Sequence, residues 1–150
     1  SAEGLRGFTG VPHRLQTVAD RGGVRWINDS KATNVGSAVT ALGAVGDGVR
    51  LILGGQGKSQ DFSPLRAAVA AGCASVHLIG EAAGELAEVL SDSGVHVQQD
   101  GELRLAVAAC SRLARPGETV LLAPACASFD QFSDFEERGD EFSRLVEEYS

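Results

Sequence analysis

Short apolar runs alternate along the chain with stretches of helical period. Runs typical of buried strands occur at residues 15–19, 24–27, 50–53, 75–79, 95–97 and 119–123. Helical spacing of apolar residues begins near residue 35 and recurs at 65–71, 83–90, 103–113 and 134–149. Because strands that alternate with helices form right-handed crossovers, the pattern predicts an α/β fold of three layers, with helices on both faces of a mainly parallel sheet.

The first two strands are expected to form a hairpin. Asp20-Arg-Gly-Gly23 lies between them, and adjacent glycines permit the positive φ angles of a tight turn. This places one antiparallel edge strand beside the first interior strand, in a sheet of about six strands. Pro12-His-Arg14 ends a short lead-in at Leu5 to Phe8. Arg14 either reaches back toward the loop after the second strand or is an ordinary solvated arginine.

The polar segment Asn28-Asp-Ser-Lys-Ala-Thr-Asn34 separates a predicted strand from a predicted helix. Open α/β folds bind ligands at the carboxyl ends of strands, and the free N–H groups of a helix start favour anions. One of Thr33 and Asn34 is expected to cap the helix. A cap does not require Asp29 and Lys31, so this segment suits a polyanionic ligand that also carries sugar hydroxyls.

A glycine-rich loop, Gly54-Gly-Gln-Gly-Lys-Ser59, follows the strand at 50–53 and resembles a P-loop in composition. A P-loop of this type would need a glycine at position 52, which is Ile52, and would run directly into a helix. Ser63 and Pro64 are instead typical of a helix start several residues later. The sequence therefore disfavours a nucleotide P-loop and predicts that Lys58 clamps a carboxylate or phosphate, with a bare turn as the alternative.

A third loop, Pro124-Ala-Cys-Ala-Ser-Phe-Asp-Gln-Phe132, follows the last strand, so three loops are expected to share one rim of the sheet. Ser128 and Ser133 each precede Gln131 or Glu136 by three residues, the spacing of a capping box. Ser128 is thus a cap or a ligand hydroxyl. A catalytic role for the Cys126 thiol is disfavoured, because the sequence implies no triad around it. In the last helix, the charges between the apolar positions are expected on a solvated face.

Composition mainly excludes classes of partner. A net charge of −7 argues against nucleic acid and anionic membranes, and no apolar run is long enough to span a bilayer. Three widely spaced cysteines without a C-x-x-C pair favour reduced thiols in the cytoplasm over disulfides or a zinc site. His77 and His96 lie inside strand patterns and are expected to be structural. The chain of 150 residues is one ordinary domain, and its start at Ser1-Ala-Glu-Gly4 with no methionine suggests an excised piece.

Four segments in order resemble the C-terminal domain of the Mur ligase family, enzymes of peptidoglycan synthesis. They are Pro12-His-Arg14, Asn28 to Asn34, Gly54-Gly-Gln-Gly-Lys58, and Pro124-Ala-Cys-Ala-Ser128 with Asp130-Gln-Phe132 and Glu137-Arg-Gly139. Four ordered matches across nearly the whole chain are more specific than any one of them. Asp29-Ser-Lys31 favours the D-glutamate-adding members over those that add L-alanine, diaminopimelate or D-alanyl-D-alanine.

The resemblance implies a Rossmann-like domain of an ATP-dependent ligase that adds D-glutamate to UDP-N-acetylmuramoyl-L-alanine through an acyl phosphate. An N-terminal UDP-binding domain and a central ATPase domain would hold the P-loop, Mg²⁺ and the catalytic groups, and both would be absent here. This single domain would therefore bind neither ATP nor Mg²⁺ tightly, would have no catalytic residue or metal site of its own, and would be inactive alone. The ligase is expected to be a cytoplasmic monomer.

By the same resemblance, D-glutamate would be held by Thr33, Lys58, Ser128, Phe129 and Phe135. Three further residues, Arg14, Asp29 and Lys31, would face the nucleotide when the domains close, with Asp29 on the ribose. Phe129 stands where leucine is usual in the family, which alters the pocket shape unless only its backbone N–H makes the contact. The alternatives are a non-catalytic module that binds an anion or a nucleotide, or another Mur or folylpolyglutamate-type ligase.

Overall fold

The computed structural model describes residues 11–149, so the predicted lead-in at Leu5 to Phe8 and the start of the chain at Ser1 to Gly4 lie outside the described residues. The strands are β1 (Gln16–Arg21), β2 (Val24–Asn28), β3 (Val49–Gly54), β4 (Cys73–Ile79), β5 (His96–Gly101) and β6 (Thr119–Leu122). The helices are α1 (Val35–Val45), α2 (Pro64–Gly72), α3 (Ala83–Val89), α4 (Leu103–Leu113) and α5 (Phe135–Tyr149). Each strand and helix predicted within residues 11–149 is present, with ends shifted by at most a few residues.

The six strands form one sheet in the order β1-β2-β6-β3-β4-β5. Only the β1–β2 pair is antiparallel among the pairs in this sheet, and the hairpin turns at Gly22 and Gly23, with φ of 60° and 80°. The last strand, β6, lies between β2 and β3, so Asn28, Leu122 and Ile52 stand side by side at the carboxyl ends of three parallel strands. The predicted mainly parallel sheet with an antiparallel edge is confirmed.

Two hydrophobic cores cover the two faces of the sheet. Leu51 and Leu53 of β3 pack in the core beneath α1, α2 and α3, whereas Ile52 packs in the core beneath α4 and α5. This division follows from the pleat, because successive side chains of a strand point to opposite faces. A slip of one residue in strand register would exchange the two sets, so the cores fix the register that brings the carboxyl ends together.

Three connections leave these carboxyl ends: residues 29–34 after β2, 55–63 after β3 and 123–134 after β6. We refer to them together as the rim. Asn34 caps α1, since its Oδ1 accepts the Ser37 N–H at 2.9 Å. Ser63 and Pro64 begin α2 as predicted, although the Ser63 hydroxyl donates to Asp61 and caps no helix amide.

The predicted capping boxes at Ser128 and Ser133 are wrong. Because α5 begins at Phe135, its N-cap is Asp134, whose Oδ1 accepts the Glu137 N–H at 2.8 Å. The Glu137 carboxylate accepts the N–H of Ser133, the residue before the cap, at 2.6 Å, so the two bonds do not form the reciprocal pair of a capping box. Ser128 lies outside the helix and caps nothing, which leaves its hydroxyl for another role.

Arg138 of α5 is the largest departure from the predicted solvated face, because it is 1% exposed. Its Nε donates to Ser30 Oγ at 2.9 Å, and its two terminal nitrogens donate to Ser30 O at 2.7 Å and Cys126 O at 3.0 Å. One guanidinium thus joins the loops after β2 and β6. Burial lowers the pKa of Arg138 to about 10, which still leaves it charged at neutral pH. The next residue, Gly139, must be small, since a Cβ there would overlap the His13 side chain.

A buried polar chain crosses the sheet under α4. The hydroxyl of Ser75 contacts His77 Nε2 at 2.8 Å, and His77 Nδ1 contacts Asp100 Oδ2 at 2.9 Å. Arg50 donates to Ser75 and pairs with Glu118 at 2.9 Å. Serine, histidine and aspartate in this order resemble a catalytic triad, but Ser75 and His77 are fully buried, so no substrate can reach the hydroxyl. The expectation that His77 is structural agrees with this geometry.

In residues 11–149, the structure contains no helix long and apolar enough to span a bilayer.

Replacement of Arg138 by methionine should lower the free energy of unfolding by about 3 kcal/mol or more, because three buried acceptors lose their donors. Denaturant unfolding of the purified chain measures this loss. Arg144→Met is the matched control on the same helix, since Arg144 pairs with Glu141 at the surface and should matter little. Equal stability of the two variants would contradict the role given to Arg138.

The free energy of unfolding should fall as pH drops below about 6.5, the ordinary pKa of histidine. Burial lowers the pKa of His77, more than Asp100 raises it, so the unfolded chain takes up this proton before the folded one does. In His77→Asn, which is less stable at pH 7, this acid dependence should be reduced. His96→Asn is the control, because His96 is exposed on β5; urea unfolding at pH 5 to 8 tests both.

Candidate functional site

Backbone hydrogen bonds hold the three rim loops against one another. Asp29 N–H donates to Leu122 O at 2.8 Å, and Ala125 N–H donates to Ala32 O at 2.9 Å. On the other side, Gln56 and Ala127 exchange two hydrogen bonds of 2.8 and 3.1 Å. The rim predicted from three separate loops is therefore one connected surface, with the loop after β6 in the middle.

Glycine is required where the loop after β3 approaches its neighbours. At Gly54, with φ of 125°, a Cβ would overlap the carbonyl oxygen of Ile79. At Gly55, with φ of 138°, a Cβ would overlap the carbonyl oxygen of Ala127. The glycine-rich sequence therefore serves close backbone packing and a positive φ, and α2 begins only at Pro64. This agrees with the rejection of a nucleotide P-loop.

The three residues predicted to face a nucleotide line one cavity of about 290 Å³. Its walls are Arg14, Leu15, Asp29, Lys31 and Ala32, with Ser37, Thr40 and Ala41 from α1. Asp29 is 6% exposed, and its Oδ1 accepts the Leu15 N–H at 3.2 Å. Burial raises the pKa of Asp29, while the Leu15 hydrogen bond and the charge of Arg14 oppose that rise. Arg14 thus reaches toward the loop after β2, the first of its two predicted alternatives.

The cavity contains two cationic side chains, Arg14 and Lys31, and one carboxylate, Asp29. Arg14 and Lys31 are exposed, and neither forms an ion pair among residues 11–149. Their free positive charges suit phosphate or carboxylate groups, and the Asp29 carboxylate suits a hydroxyl donor. Within the part of the chain that the structure describes, no group of three or more His, Cys, Asp or Glu residues is arranged to hold a metal ion.

The five residues predicted to hold D-glutamate come from all three rim loops and the start of α5. None of them lines the cavity of Arg14, Asp29 and Lys31. Thr33 lies half-buried beside that cavity, and Lys58 is exposed on the glycine-rich loop. Phe135, the first residue of α5, places its ring edge-on to His13, with centroids 6.1 Å apart. The five residues therefore lie outside the cavity that Arg14, Asp29 and Lys31 line.

Ser128 and Phe129 differ sharply in burial although they are consecutive. Among the buried side-chain nitrogen and oxygen atoms of residues 11–149, the Ser128 hydroxyl is the one that lacks a hydrogen-bond partner. A buried hydroxyl without a partner is costly, which makes this group available to a ligand. Phe129 is 65% exposed, so its ring faces solvent beside this buried hydroxyl. An orphaned buried hydroxyl and an exposed aromatic ring therefore stand next to each other in the loop after β6.

The Cys126 thiol is not a nucleophile in this arrangement. Burial raises the pKa of Cys126 to about 12, and the nearby charges of Arg138 and Lys58 lower it less than burial raises it. A thiol with this pKa is protonated at neutral pH and unreactive. Its role is through its backbone, because the Cys126 carbonyl accepts a hydrogen bond from Arg138.

Sequence reasoning missed three side chains that hold the site together. Asn28 accepts the Ser30 N–H at 3.0 Å through Oδ1, and its Nδ2 donates to Gly139 O at 3.3 Å. The helical pattern of α5 predicts that Arg138 is solvated, and the sequence assigns no role to Asn28 or Gln60 as a side chain that holds the loops together. For Arg138 a signal existed, because position 138 is three residues after Phe135 and four before Phe142, on the apolar face. For Gln60 the sequence carried no such signal.

Comparison with known proteins gives three findings. A family profile described as "Mur ligase, glutamate ligase domain" matches residues 13–126. The chain is 48% identical over 145 residues to UDP-N-acetylmuramoylalanine--D-glutamate ligase of Burkholderia mallei (strain SAVP1). This match covers 97% of the chain and 29% of the relative, so the chain spans less than a third of that protein.

Solved structures share the fold at low sequence identity. The bifunctional folylpolyglutamate synthase/dihydrofolate synthase from Yersinia pestis CO92 has a TM-score of 0.65 at 19% identity, over 91% of this chain and 31% of that one. The murein peptide ligase from Psychrobacter arcticus 273-4 has a TM-score of 0.63 at 13% identity, over 95% and 31%. These likenesses concern architecture alone, whereas the family profile covers most of the chain. This chain belongs to the Mur ligase family, whose glutamate ligase domain it matches.

Proposed function

We propose that this chain is the acceptor-binding domain of a longer ATP-dependent ligase that joins D-glutamate to UDP-N-acetylmuramoyl-L-alanine. The observation that carries the proposal is 48% identity, over 97% of the chain, to a relative named as a D-glutamate ligase. The chain spans 29% of that relative, and we assign the UDP-linked substrate and the ATPase machinery to other domains. We assign an N-terminal UDP-binding domain and a central ATPase domain to that remaining part, with this chain as the C-terminal domain.

In the proposed reaction, the carboxylate of the UDP-linked substrate is activated with ATP as an acyl phosphate. The amine of D-glutamate attacks the acyl carbon, and the tetrahedral intermediate collapses to the amide with release of phosphate. This chain contributes the orientation of the amine, which converts a bimolecular attack into a step between positioned groups. Both carboxylates of D-glutamate must then be bound while the amine stays free.

The five rim residues assigned to D-glutamate suit such a dicarboxylate. Lys58 supplies an ammonium, and Thr33 and Ser128 supply hydroxyls that donate to carboxylate oxygens. Phe129 and Phe135 give apolar walls for the methylene carbons. The buried, unpartnered hydroxyl of Ser128 supports this assignment, since a bound carboxylate would satisfy it.

The neighbouring cavity suits part of a nucleotide. We assign Arg14 and Lys31 to phosphate groups and Asp29 to ribose hydroxyls, in a complex closed by the other domains. A structural neighbour from Yersinia pestis was solved in complex with AMPPNP and a manganese ion, which supports nucleotide and divalent metal in enzymes of this fold. We assign Mg²⁺ to the central domain, and no group of three or more His, Cys, Asp or Glu residues stands together among the described residues.

The compartment and partners follow from the same proposal. The three cysteines are free, as in a protein of the reducing cytoplasm. The acidic net charge of −7 disfavours nucleic acid as a partner. We therefore propose that the full-length ligase is cytoplasmic and monomeric. Its substrates would be D-glutamate, ATP and UDP-N-acetylmuramoyl-L-alanine.

Titration of the ¹⁵N-labelled chain with D-glutamate should shift the amide signals of Thr33, Lys58, Ser128 and Phe135, and L-glutamate should not. Lys58→Gln should weaken binding about tenfold or more, because a charge-assisted contact is lost. Lys31→Gln is the control, since it changes a cation of the adjacent cavity and should leave D-glutamate binding intact. Equal shifts with both isomers, or equal losses in both variants, would contradict the assignment.

If the chain alone binds neither isomer, the same pair of variants decides the assignment in the full-length ligase. There Lys58→Gln should raise the KM for D-glutamate about tenfold or more, while Lys31→Gln should act on the KM for ATP. The reverse pattern would exchange the roles of the two groups.

The isolated chain should hydrolyse no ATP. Its glycine-rich loop packs against neighbouring strands and does not run into a helix, so it lacks the phosphate cradle of a P-loop. A phosphate-release assay with ATP and Mg²⁺, with and without D-glutamate, measures this directly. ATP hydrolysis faster than in a heat-denatured sample would contradict the assignment of the ATPase to another domain.

A further inference from the structure

Gln60 lies in the loop after β3, and its side chain forms hydrogen bonds to its own loop, to the start of α1 and to the loop after β6. Its Oε1 accepts the N–H of Val35, the first residue of α1, at 3.0 Å. Its Nε2 donates to Gly57 O at 3.0 Å and to Ala125 O at 2.8 Å. Each of these segments carries one of the polar side chains assigned above to D-glutamate.

Only a carboxamide satisfies all three partners. The Val35 N–H can only donate, whereas the Gly57 and Ala125 carbonyls can only accept, so the orientation of the amide is unambiguous. With Asn34 on the Ser37 N–H, Gln60 provides a second cap for the first turn of α1. It therefore holds the helix start next to Thr33 against the loop that carries Lys58.

The contact with Gly57 supports an otherwise unfavourable backbone. Lys58 and Ser59 have φ of 59° and 55°, a left-handed conformation that costs energy in residues with a side chain. The Gln60 side chain closes the turn over both residues by its bond to the Gly57 carbonyl. The Lys58 side chain is exposed, so its direction depends on the conformation that this bond maintains.

We propose that Gln60 is a positioning residue that fixes Thr33, Lys58 and Ser128 in one arrangement before the ligand arrives. The bond to Ala125 acts on the loop after β6, three residues before Ser128, and complements the pairing of Gln56 with Ala127. Order present before binding lowers the entropic cost of binding. The identity of the ligand rests on the proposed function, but the mechanical link between the three loops does not.

Two substitutions that keep roughly the size of the glutamine side chain distinguish the effects of its three hydrogen bonds. Gln60→Glu retains an acceptor for Val35 but turns a carboxylate oxygen toward the Gly57 and Ala125 carbonyls, so it should loosen the loops of Lys58 and Ser128 alone. Gln60→Met removes every bond and should also release the start of α1. Hydrogen exchange at Val35 should be about tenfold faster in Gln60→Met and unchanged in Gln60→Glu. Backbone ¹⁵N order parameters at Lys58 and Ser128 should fall in both.

Gln98→Met is the matched control, because Gln98 bonds to His96 and Asp100 on edge strand β5, away from the rim. A residue with a merely structural role would lower the Tm in both Gln60 variants without this segment-specific pattern. The proposal is overturned if order is lost only at residues 59–61, or if Gln60→Glu and Gln60→Met behave alike at Val35.

D-glutamate provides the second readout. Gln60→Glu should weaken its binding about tenfold, equivalent to about 1.4 kcal/mol, although Gln60 is assigned no contact with the ligand. If the unmodified chain binds no D-glutamate, the proposed function fails for the isolated domain, and the exchange pattern still decides the role of Gln60. Loss of order at Lys58 and Ser128 with unchanged affinity would overturn the link between positioning and binding.

Discussion

The rim of this domain depends on one buried guanidinium. Arg138 is 1% exposed and forms no ion pair within residues 11–149, so its charge is stabilised by the hydroxyl and carbonyl of Ser30 and the carbonyl of Cys126. A buried charge that has no carboxylate partner depends on every one of its hydrogen bonds. Loss of an acceptor leaves the desolvation of the charge uncompensated and destabilises the fold. The first turn of α5 therefore holds the loops after β2 and β6 in one conformation. The backbone of the residues in these loops is fixed by the same hydrogen bonds.

On the opposite side of the rim, Gln60 links the same two loops to the loop after β3 through neutral hydrogen bonds. Arg138 and Gln60 thus enclose the loop after β6, which lies between its neighbours because β6 lies between β2 and β3. Arg138 and Gln60 hold the loops without using the surface cations, and Lys58, Arg14 and Lys31 form no ion pair among the described residues. A site with fixed backbone and unpaired cations is suited to anionic ligands, since little order must be gained on binding.

Errors in the sequence-based reading have identifiable physical causes. The charges of α5 were expected in solvent because most of that helix is amphipathic, yet its first turn packs on the rim, where a buried cation has acceptors. The spacing predicts a cap at Ser133, but Asp134 caps the helix, because serine and aspartate are both good caps and the sequence does not choose between adjacent candidates. By contrast, the α1 cap, the failed P-loop and the burial of His77 agreed with expectation, because each depends on local spacing.

The sequence by itself determined the elements, the mainly parallel sheet and the three loops at its carboxyl edge, because hydrophobic period and turn residues are local properties. It also contained the family resemblance and the side chains now assigned to ligands. Only the tertiary structure decided that β6 separates β2 from β3, and that Arg138 and Gln60 hold the rim together. The bond from Arg138 to Ser30 spans 108 residues and the bond from Gln60 to Ala125 spans 65. No local pattern records such pairs, because they exist only when distant strands lie side by side.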